Sequence, residues 1–212
     1  GYSSRNAFTV KTLKTVIDIV KSASKDSIVV VDNCYGEFVE KQEPIEAGAD
    51  IIVGSLIKNP GGGLAPTGGY IAGKETLIQL ISYRLTSPGI GCEVGSYANT
   101  YQYFYQGFFM APHVVAQALK AAQLFCRTFD KLNYNVLPKP GDDYGDIIAS
   151  INFNTAKELI DFVQTIQSVS PVDSYVLPEP WDMPGYNHQV IMAAGTFVQG
   201  ASIELSADSP IK

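Results

Sequence analysis

A lysine and an aspartate follow two apolar segments, in positions where their side chains could meet. Lys58 comes after the apolar segment that begins at Ile51, and three glycines follow it closely. Asp32 directly follows four consecutive apolar residues, 28–31. If both segments are strands that finish at one edge of a sheet, an amine and a carboxylate lie close together there. The amine could form a Schiff base with an aldehyde and the carboxylate could hold a protonated ring nitrogen, which suits a pyridoxal phosphate site.

Each of these two residues also has a simpler interpretation. A lysine is most often a solvated surface charge, and an aspartate after a strand often only forms a turn. Glycines beside Lys58 let the backbone approach a ligand closely, which favours the functional interpretation. A nucleoside triphosphatase loop needs its glycines before the lysine and a serine or threonine after it. Here the order is reversed and Asn59 follows Lys58, which excludes that class.

The composition is that of a folded enzyme with no attraction for polyanions. Of the 212 residues, 46% are hydrophobic and 17% charged, which argues against disorder. A formal net charge of -6 gives no electrostatic basis for binding nucleic acid or an anionic membrane. Three cysteines without a CxxC motif favour free thiols in a reducing compartment, and the two histidines share no metal-binding spacing. We therefore expect a cytoplasmic protein with no metal site and no membrane or nucleic-acid partner.

The spacing of apolar residues predicts an α/β protein. A helix is predicted from an N-cap at Thr9 to about Ala23. Strands are predicted at 28–31, 51–53 and 69–72, and two more helices at 74–85 and 107–132. Because four consecutive apolar residues are typical of a strand buried on both faces, we expect a mostly parallel sheet with helices on both faces.

The C-terminal part changes character and predicts a smaller α+β unit. Thr155 and Glu158 form a capping box that opens a helix after a predicted strand at 147–153. Further strands are predicted at 190–194 and 202–205.

The predicted elements divide the chain into two domains. We place the boundary near residue 130, so that residues 1–130 form the later part of a large α/β domain and residues 131–212 a smaller α+β domain, incomplete at its end. The chain starts with Gly1 and enters a helical pattern almost at once. We therefore expect an N-terminal portion to be missing.

Long motifs along nearly the whole chain resemble one family. They lie at 1–5, 31–40, 44–58, 54–63, 83–91, 105–109 and 192–208. The chain resembles the Cys/Met-metabolism enzymes that use pyridoxal phosphate, which include cystathionine lyases and methionine gamma-lyase. Among them, it is most similar to a branch described as cystathionine beta-lyase-like or as aluminium-resistance proteins.

The resemblance implies a fold type I transferase-like architecture and a set of residue roles. Lys58 matches the lysine that holds the cofactor aldehyde and later moves the substrate α proton. Asp32 matches the partner of the ring nitrogen, and Ser55 matches a hydroxyl that binds the cofactor phosphate. Tyr35 matches an aromatic residue near the site, with a place in the core as the alternative. Ile57 stands where relatives often have a second hydroxyl.

Substrate recognition is less completely represented. Arg5 and Arg84 could each hold a substrate carboxylate through a bidentate contact, with a surface salt bridge as the alternative. The usual C-terminal substrate arginine has no clear match before Lys212. The phosphate loop and the ring-stacking aromatic residue of the family are expected outside this chain.

The implied activity is that of a carbon–sulfur lyase. It would cleave a sulfur-containing amino acid such as cystathionine or methionine by β or γ elimination, in a homodimer or homotetramer. The alternatives are an aminotransferase or racemase on the same fold, and a non-catalytic stress (aluminium) resistance protein that retains the fold.

Overall fold

A computed structural model describes residues 5–85, 87–95 and 97–211. Its helices and strands follow one another as α1 (Val10–Ala23), β1 (Val30–Asp32), β2 (Ile51–Ser55), β3 (Gly69–Gly73), α2 (Glu75–Leu85), α3 (Gln102–Lys131), β4 (Asn135–Leu137), β5 (Ser150–Asn152), α4 (Ala156–Ser168), β6 (Val190–Ala193) and β7 (Ala207–Pro210). A short 3₁₀ turn at Asn59–Gly61 lies between β2 and β3.

Helix α1 begins where the sequence predicts. The Thr9 side chain accepts a hydrogen bond from the Thr12 backbone amide at 3.2 Å, which caps the helix. Ile17 is buried and packs with Ala47, Ala49 and Ile52, so α1 covers one side of the first sheet. The predicted helix and its N-cap are confirmed.

The first sheet is mixed, which contradicts the predicted fold class. Its strand order is β1-β2-β3; β1 and β2 are parallel, and β2 and β3 are antiparallel. The other two sheets, β4-β5 and β6-β7, are antiparallel pairs. The prediction of a fold type I architecture, with a large and mostly parallel sheet between two helix layers, is therefore wrong for the described residues.

The chain reversal between β2 and β3 explains this error. A parallel β3 would need a crossover connection, usually a helix. Instead, residues 56–68 turn back through the Asn59–Gly61 turn and through Gly62 and Gly63, whose φ angles are +53° and +80°. The prediction that the first strand is buried on both faces is also wrong, because β1 lies at the sheet edge and Val30 is 55% exposed.

Helix α3 connects the first sheet to the C-terminal elements. It begins at Gln102, five positions before its predicted start, and its N-terminal half packs against the 3₁₀ turn. Near its other end, Phe129 makes edge-to-face contacts with Tyr134, Phe153 and Phe162. This aromatic cluster joins α3 to the segment after β5 and to α4.

The C-terminal elements are two strand pairs and one helix. Thr155 caps α4 by accepting from the Glu158 amide, and the Glu158 carboxylate accepts from the Asn154 amide. The predicted helix start is thus confirmed. The strand predicted at 202–205 is wrong, because those residues form a loop and the strand lies at Ala207–Pro210. The domain boundary near residue 130 stays a prediction.

Among the described residues, no helix combines the length and the apolar composition that crossing a bilayer requires.

Candidate functional site

Two neighbouring parallel strands end at the same edge of the first sheet. Asp32 is the last residue of β1 and Ser55 is the last residue of β2. The register pairs Asp32 with Val53, and the Asn33 amide donates to the Val53 carbonyl at 2.8 Å. The residues that follow both strands therefore lie together at the carboxyl end of the sheet. The sequence predicts this position for Lys58 and Asp32.

Lys58 lies in a tight turn directly after β2. Its amide donates to the Ser55 carbonyl at 3.4 Å, and its own carbonyl accepts from the Gly61 amide at 3.0 Å. The half-buried side chain carries its Nζ to 4.6 Å from the centroid of the Tyr35 ring. This cation–π contact holds the amine beside the loop that follows β1.

The Asp32 carboxylate is held in its charged form. Its Oδ1 accepts from the Cys34 backbone amide at 3.0 Å. This bond, a hydrogen bond with the Cys34 side chain and the positive charge of Lys58 lower the pKa of Asp32 below its usual value. The structure therefore brings Lys58 and Asp32 into one electrostatic cluster. Burial raises the pKa of the Cys34 thiol, which lies in the same cluster.

Tyr35 is positioned by an unusual backbone conformation. Its φ angle is +69°, in the left-handed region, and that of Phe38 in the same loop is +64°. The Tyr35 hydroxyl donates to the Gly200 carbonyl at 3.3 Å. Burial raises the pKa of Tyr35, which favours the neutral hydroxyl that makes this bond.

The remaining predicted site residues fall into two groups. Ser55 is half-buried beside the Lys58 turn. Arg5 lines a cleft of about 270 Å³ together with Asp32 and Cys34, and its guanidinium carbon lies 4.5 Å from the centroid of the Phe8 ring. Arg84 is exposed in the last turn of α2 and does not line this cleft. The structure thus brings Arg5, but not Arg84, to the cleft beside Asp32.

A buried carboxyl group that the sequence analysis did not predict, that of Glu37, lies beside Gly54 of β2 and Tyr70 of β3. Glu37 is 4% exposed, and its Oε1 accepts from the Tyr70 hydroxyl at 2.7 Å. Its Oε2 has no hydrogen-bond partner among the described residues. Burial raises the pKa of Glu37 to about 7. Gly54 makes room for this carboxyl, because a Cβ there would lie 2.5 Å from Glu37 Oε1.

Asn59, the residue after Lys58, is also buried and was not predicted as a site residue. It is 0% exposed, and its side-chain amide donates to the Glu37 backbone carbonyl at 3.0 Å. Its Oδ1 accepts from the Ser202 hydroxyl. The only sequence signal for this role is a polar amide placed directly beside Lys58, within a stretch of little side-chain bulk.

The side chains present fit pyridoxal phosphate. A half-buried amine, a carboxylate held charged and a hydroxyl at the end of β2 are the donor set that an aldehyde, a ring nitrogen and a phosphate require. Within residues 5–85, 87–95 and 97–211, no group of three or more histidine, cysteine, aspartate or glutamate side chains could hold a metal ion.

Curated relatives match the whole of this chain. It is 53% identical over 212 residues to the uncharacterised protein YnbB of Bacillus subtilis, and 49% identical to an uncharacterised 33.9 kDa protein of Lactobacillus delbrueckii. The alignments include 100% of this chain but 50% of YnbB and 69% of the second protein. The chain therefore spans about half the length of YnbB.

Solved structures match the chain equally well. One, from Listeria monocytogenes, is described as a candidate cystathionine beta-lyase involved in aluminium resistance; it is 54% identical with a TM-score of 0.95. Another, from Clostridium novyi, is described as a carbon–sulfur lyase involved in aluminium resistance; it is 52% identical with a TM-score of 0.92. Each match includes 100% of this chain, and 52% and 50% of those chains.

A family model described as methionine gamma-lyase matches residues 1–212, which is the whole chain. The suspected family is thereby confirmed, and the chain belongs to the methionine gamma-lyase family.

Proposed function

We propose that the complete protein is a pyridoxal phosphate-dependent carbon–sulfur lyase that cleaves a sulfur-containing amino acid of the cystathionine or methionine type. The observation that supports this most is the electrostatic cluster at the ends of β1 and β2. There, the Lys58 amine lies over the Tyr35 ring, and its charge helps to keep the Asp32 carboxylate ionised.

Lys58 is the residue proposed to move protons. When bound, the cofactor supplies an electron-accepting ring for the charge that develops at the substrate α carbon. The Lys58 Nζ takes the α proton and can return a proton later in the cycle. A positioned base of this kind contributes roughly 10²–10⁴-fold to the rate. The turn at Asn59–Gly61 fixes the backbone from which this amine projects.

Asp32 and Ser55 are the residues proposed to hold the cofactor. Asp32 stays negative because the Cys34 amide and Lys58 stabilise its charge, so it can retain a proton on the ring nitrogen. The Ser55 hydroxyl donates to the phosphate. Ile57 offers no hydroxyl, so Ser55 is the phosphate-binding hydroxyl proposed at the end of β2.

Substrate binding is assigned to the cleft beside Asp32. Arg5 lines this cleft and presents a guanidinium group that can bind a carboxylate through two hydrogen bonds. Arg84 has no role in the proposal, because it does not line the cleft. The words cystathionine beta-lyase and carbon–sulfur lyase in the descriptions of the two solved structures support a lyase over an aminotransferase or a racemase.

Cofactor trapping and product analysis on the complete protein test this function. Borohydride reduction followed by peptide mapping should find the cofactor on Lys58, and Lys58→Ala should abolish the adduct. Lys25→Ala, which changes an exposed lysine, is the control and should retain it.

The products identify the reaction. Cystathionine or methionine should yield ammonia, a thiol and a 2-oxo acid, with pyruvate marking β elimination and 2-oxobutyrate marking γ elimination of methionine. An adduct on another lysine would refute the assignment of Lys58. A loaded protein that forms no product from these substrates would refute the lyase and favour the non-catalytic alternative.

A further inference from the structure

We propose that Asn59 and Ser202 are positioning residues for Lys58. In this arrangement the C-terminal segment 200–203 holds the Lys58 turn in place. The inference rests on the proposed function, because it takes Lys58 to be the reactive amine. It assigns a role to Ser202, a distant residue that the sequence places in a predicted strand at 202–205.

The first observation is that both polar atoms of the buried Asn59 side chain have a hydrogen-bond partner. One end donates to the Glu37 backbone carbonyl, in the loop that follows β1. The other end accepts from Ser202, which is 8% exposed. A buried amide satisfied at both ends has one favourable orientation, so it joins the β1 loop, the Lys58 turn and segment 200–203.

The second observation is that segment 200–203 contacts the site at two further points. The Gly200 carbonyl accepts from the hydroxyl of Tyr35, whose ring lies beneath the Lys58 amine. Ile203 packs on Gly63, where an added Cβ would lie 2.6 Å from the Ile203 Cγ2 atom. The segment therefore contacts Asn59, which follows Lys58, as well as Gly63 and the hydroxyl of Tyr35.

These contacts connect Ser202 to the position of Lys58. Removing the Ser202 hydroxyl leaves Asn59 Oδ1 without its donor, which is costly because Asn59 is fully buried. The amide regains a partner only if the turn opens or rotates. Because Lys58 is the adjoining residue, its amine then leaves the Tyr35 ring and becomes more exposed. The expected defect is local to Lys58 and the cofactor.

The experiment compares Ser202→Ala with Ser206→Ala in the complete protein. Ser206 belongs to the same C-terminal region but is exposed, which makes it a matched control. The first measurement is the rate at which an amine-reactive reagent modifies Lys58 in cofactor-free protein, relative to the exposed Lys25, by mass spectrometry. The second is the dissociation constant for pyridoxal phosphate, from its visible absorption. The third is the free energy of unfolding.

Ser202→Ala should raise the relative labelling of Lys58 and the cofactor dissociation constant, each by roughly tenfold. Ser206→Ala should match the wild type in both. Ser202→Cys keeps a side chain of similar size with a weaker donor, so its labelling ratio and dissociation constant should lie between those of Ser202→Ala and the wild type. If Ser202→Ala does not fold, Ser202→Cys takes its place in the comparison. A merely structural role would lower the unfolding free energy without changing the ratio of Lys58 to Lys25 labelling.

Unchanged Lys58 labelling in Ser202→Ala and Ser202→Cys would overturn the positioning role of Asn59 and Ser202. Failure of the proposed function looks different: the wild type would then bind no cofactor on Lys58. The labelling ratio is measured without cofactor, so it tests the contact between Asn59 and Ser202 in either case.

Discussion

Gly107 of α3 lies directly against the backbone of Gly61 in the Lys58 turn. A Cβ atom on Gly107 would lie 2.8 Å from the Gly61 carbonyl carbon, which is inside the distance of any real contact. Both glycines are buried. The lack of a side chain at Gly107 therefore sets how closely the long helix approaches the turn that carries Lys58.

Gly107→Ala should destabilise the protein although alanine is the better helix former. The propensity gain of about 1 kcal/mol is smaller than the cost of separating two packed backbones, so we expect a net loss of about 2 kcal/mol. Urea denaturation measures this loss. Gln106→Ala, at an exposed neighbouring position, should be neutral or slightly stabilising. A stabilised Gly107→Ala protein would contradict the close approach.

Glu37→Gln should change how stability depends on pH. Because burial raises the pKa of Glu37 from 4.5 to about 7, the folded state keeps a proton that the unfolded state has lost between these values. Stability from this group therefore falls as pH rises through that window, by about 3 kcal/mol in all. Glutamine can still accept from Tyr70 and does not ionise.

The measurement is the unfolding free energy at pH 5 and pH 8. Glu37→Gln should gain stability relative to the wild type between the two pH values, whereas the exposed control Glu93→Gln should not. Parallel pH profiles for wild type and Glu37→Gln would show that Glu37 ionises normally.

Asp50→Asn should cost more than the loss of a surface ion pair. The Asp50 side chain is 3% exposed and contacts Lys21 Nζ at 2.6 Å and Lys74 Nζ at 2.5 Å. These two lysines and the Val29 amide hold the pKa of Asp50 far below its usual value. Because the lysines are partly exposed, we expect a loss of about 2 kcal/mol at pH 7, less than for a fully buried pair.

The exposed pair of Lys14 and Asp18 provides the matched control for this prediction. Asp18→Asn should cost only about 0.5 kcal/mol. A depressed pKa contributes stability above the unfolded value of 3.8 and loses it as pH falls, so the Asp50→Asn defect should shrink in acid. Equal losses for the two variants in denaturation at pH 7 would show that burial adds nothing.

Asp32→Asn should reduce activity without reducing stability. Asparagine can still accept from the Cys34 amide, but it carries no charge for a protonated ring nitrogen. Because Asp32 is exposed, its charge adds little to folding. We expect lyase turnover to fall about a hundredfold, with weaker cofactor binding. Asp26→Asn, in an exposed turn, is the control and should keep wild-type turnover. Wild-type turnover in Asp32→Asn would contradict the proposed role of Asp32 at the ring nitrogen.

Local features of the fold were predictable from the sequence. The starts of α1 and α4 were found because a threonine cap and an apolar stripe lie within a few residues of each other. The proximity of Asp32 to Lys58 was also predictable, since it depends only on two apolar segments ending as parallel neighbours. The catalytic roles of Asp32 and Lys58 are proposals.

Nonlocal features were not predictable. An apolar run does not state the direction of its strand, so nothing in residues 69–72 distinguishes a parallel from an antiparallel β3. Ser202 and Asn59 are separated by 143 positions, and neither residue carries a local sign of its partner. Residues 202–205, where a strand is predicted, form a loop, and there the Ser202 hydroxyl donates to Asn59 Oδ1.

The left-handed backbone of Tyr35 bears on protein engineering. A tyrosine there forgoes on the order of 1 kcal/mol of backbone free energy that a glycine would recover, but Tyr35→Gly also removes the ring beneath the amine and its hydrogen bond to Gly200. The lost contacts and the greater freedom of the unfolded chain offset the relaxed backbone, so searches for thermostable variants should retain the tyrosine. The loop after β1 is thus a region where the residue that best suits the backbone conformation differs from the residue that contacts Lys58.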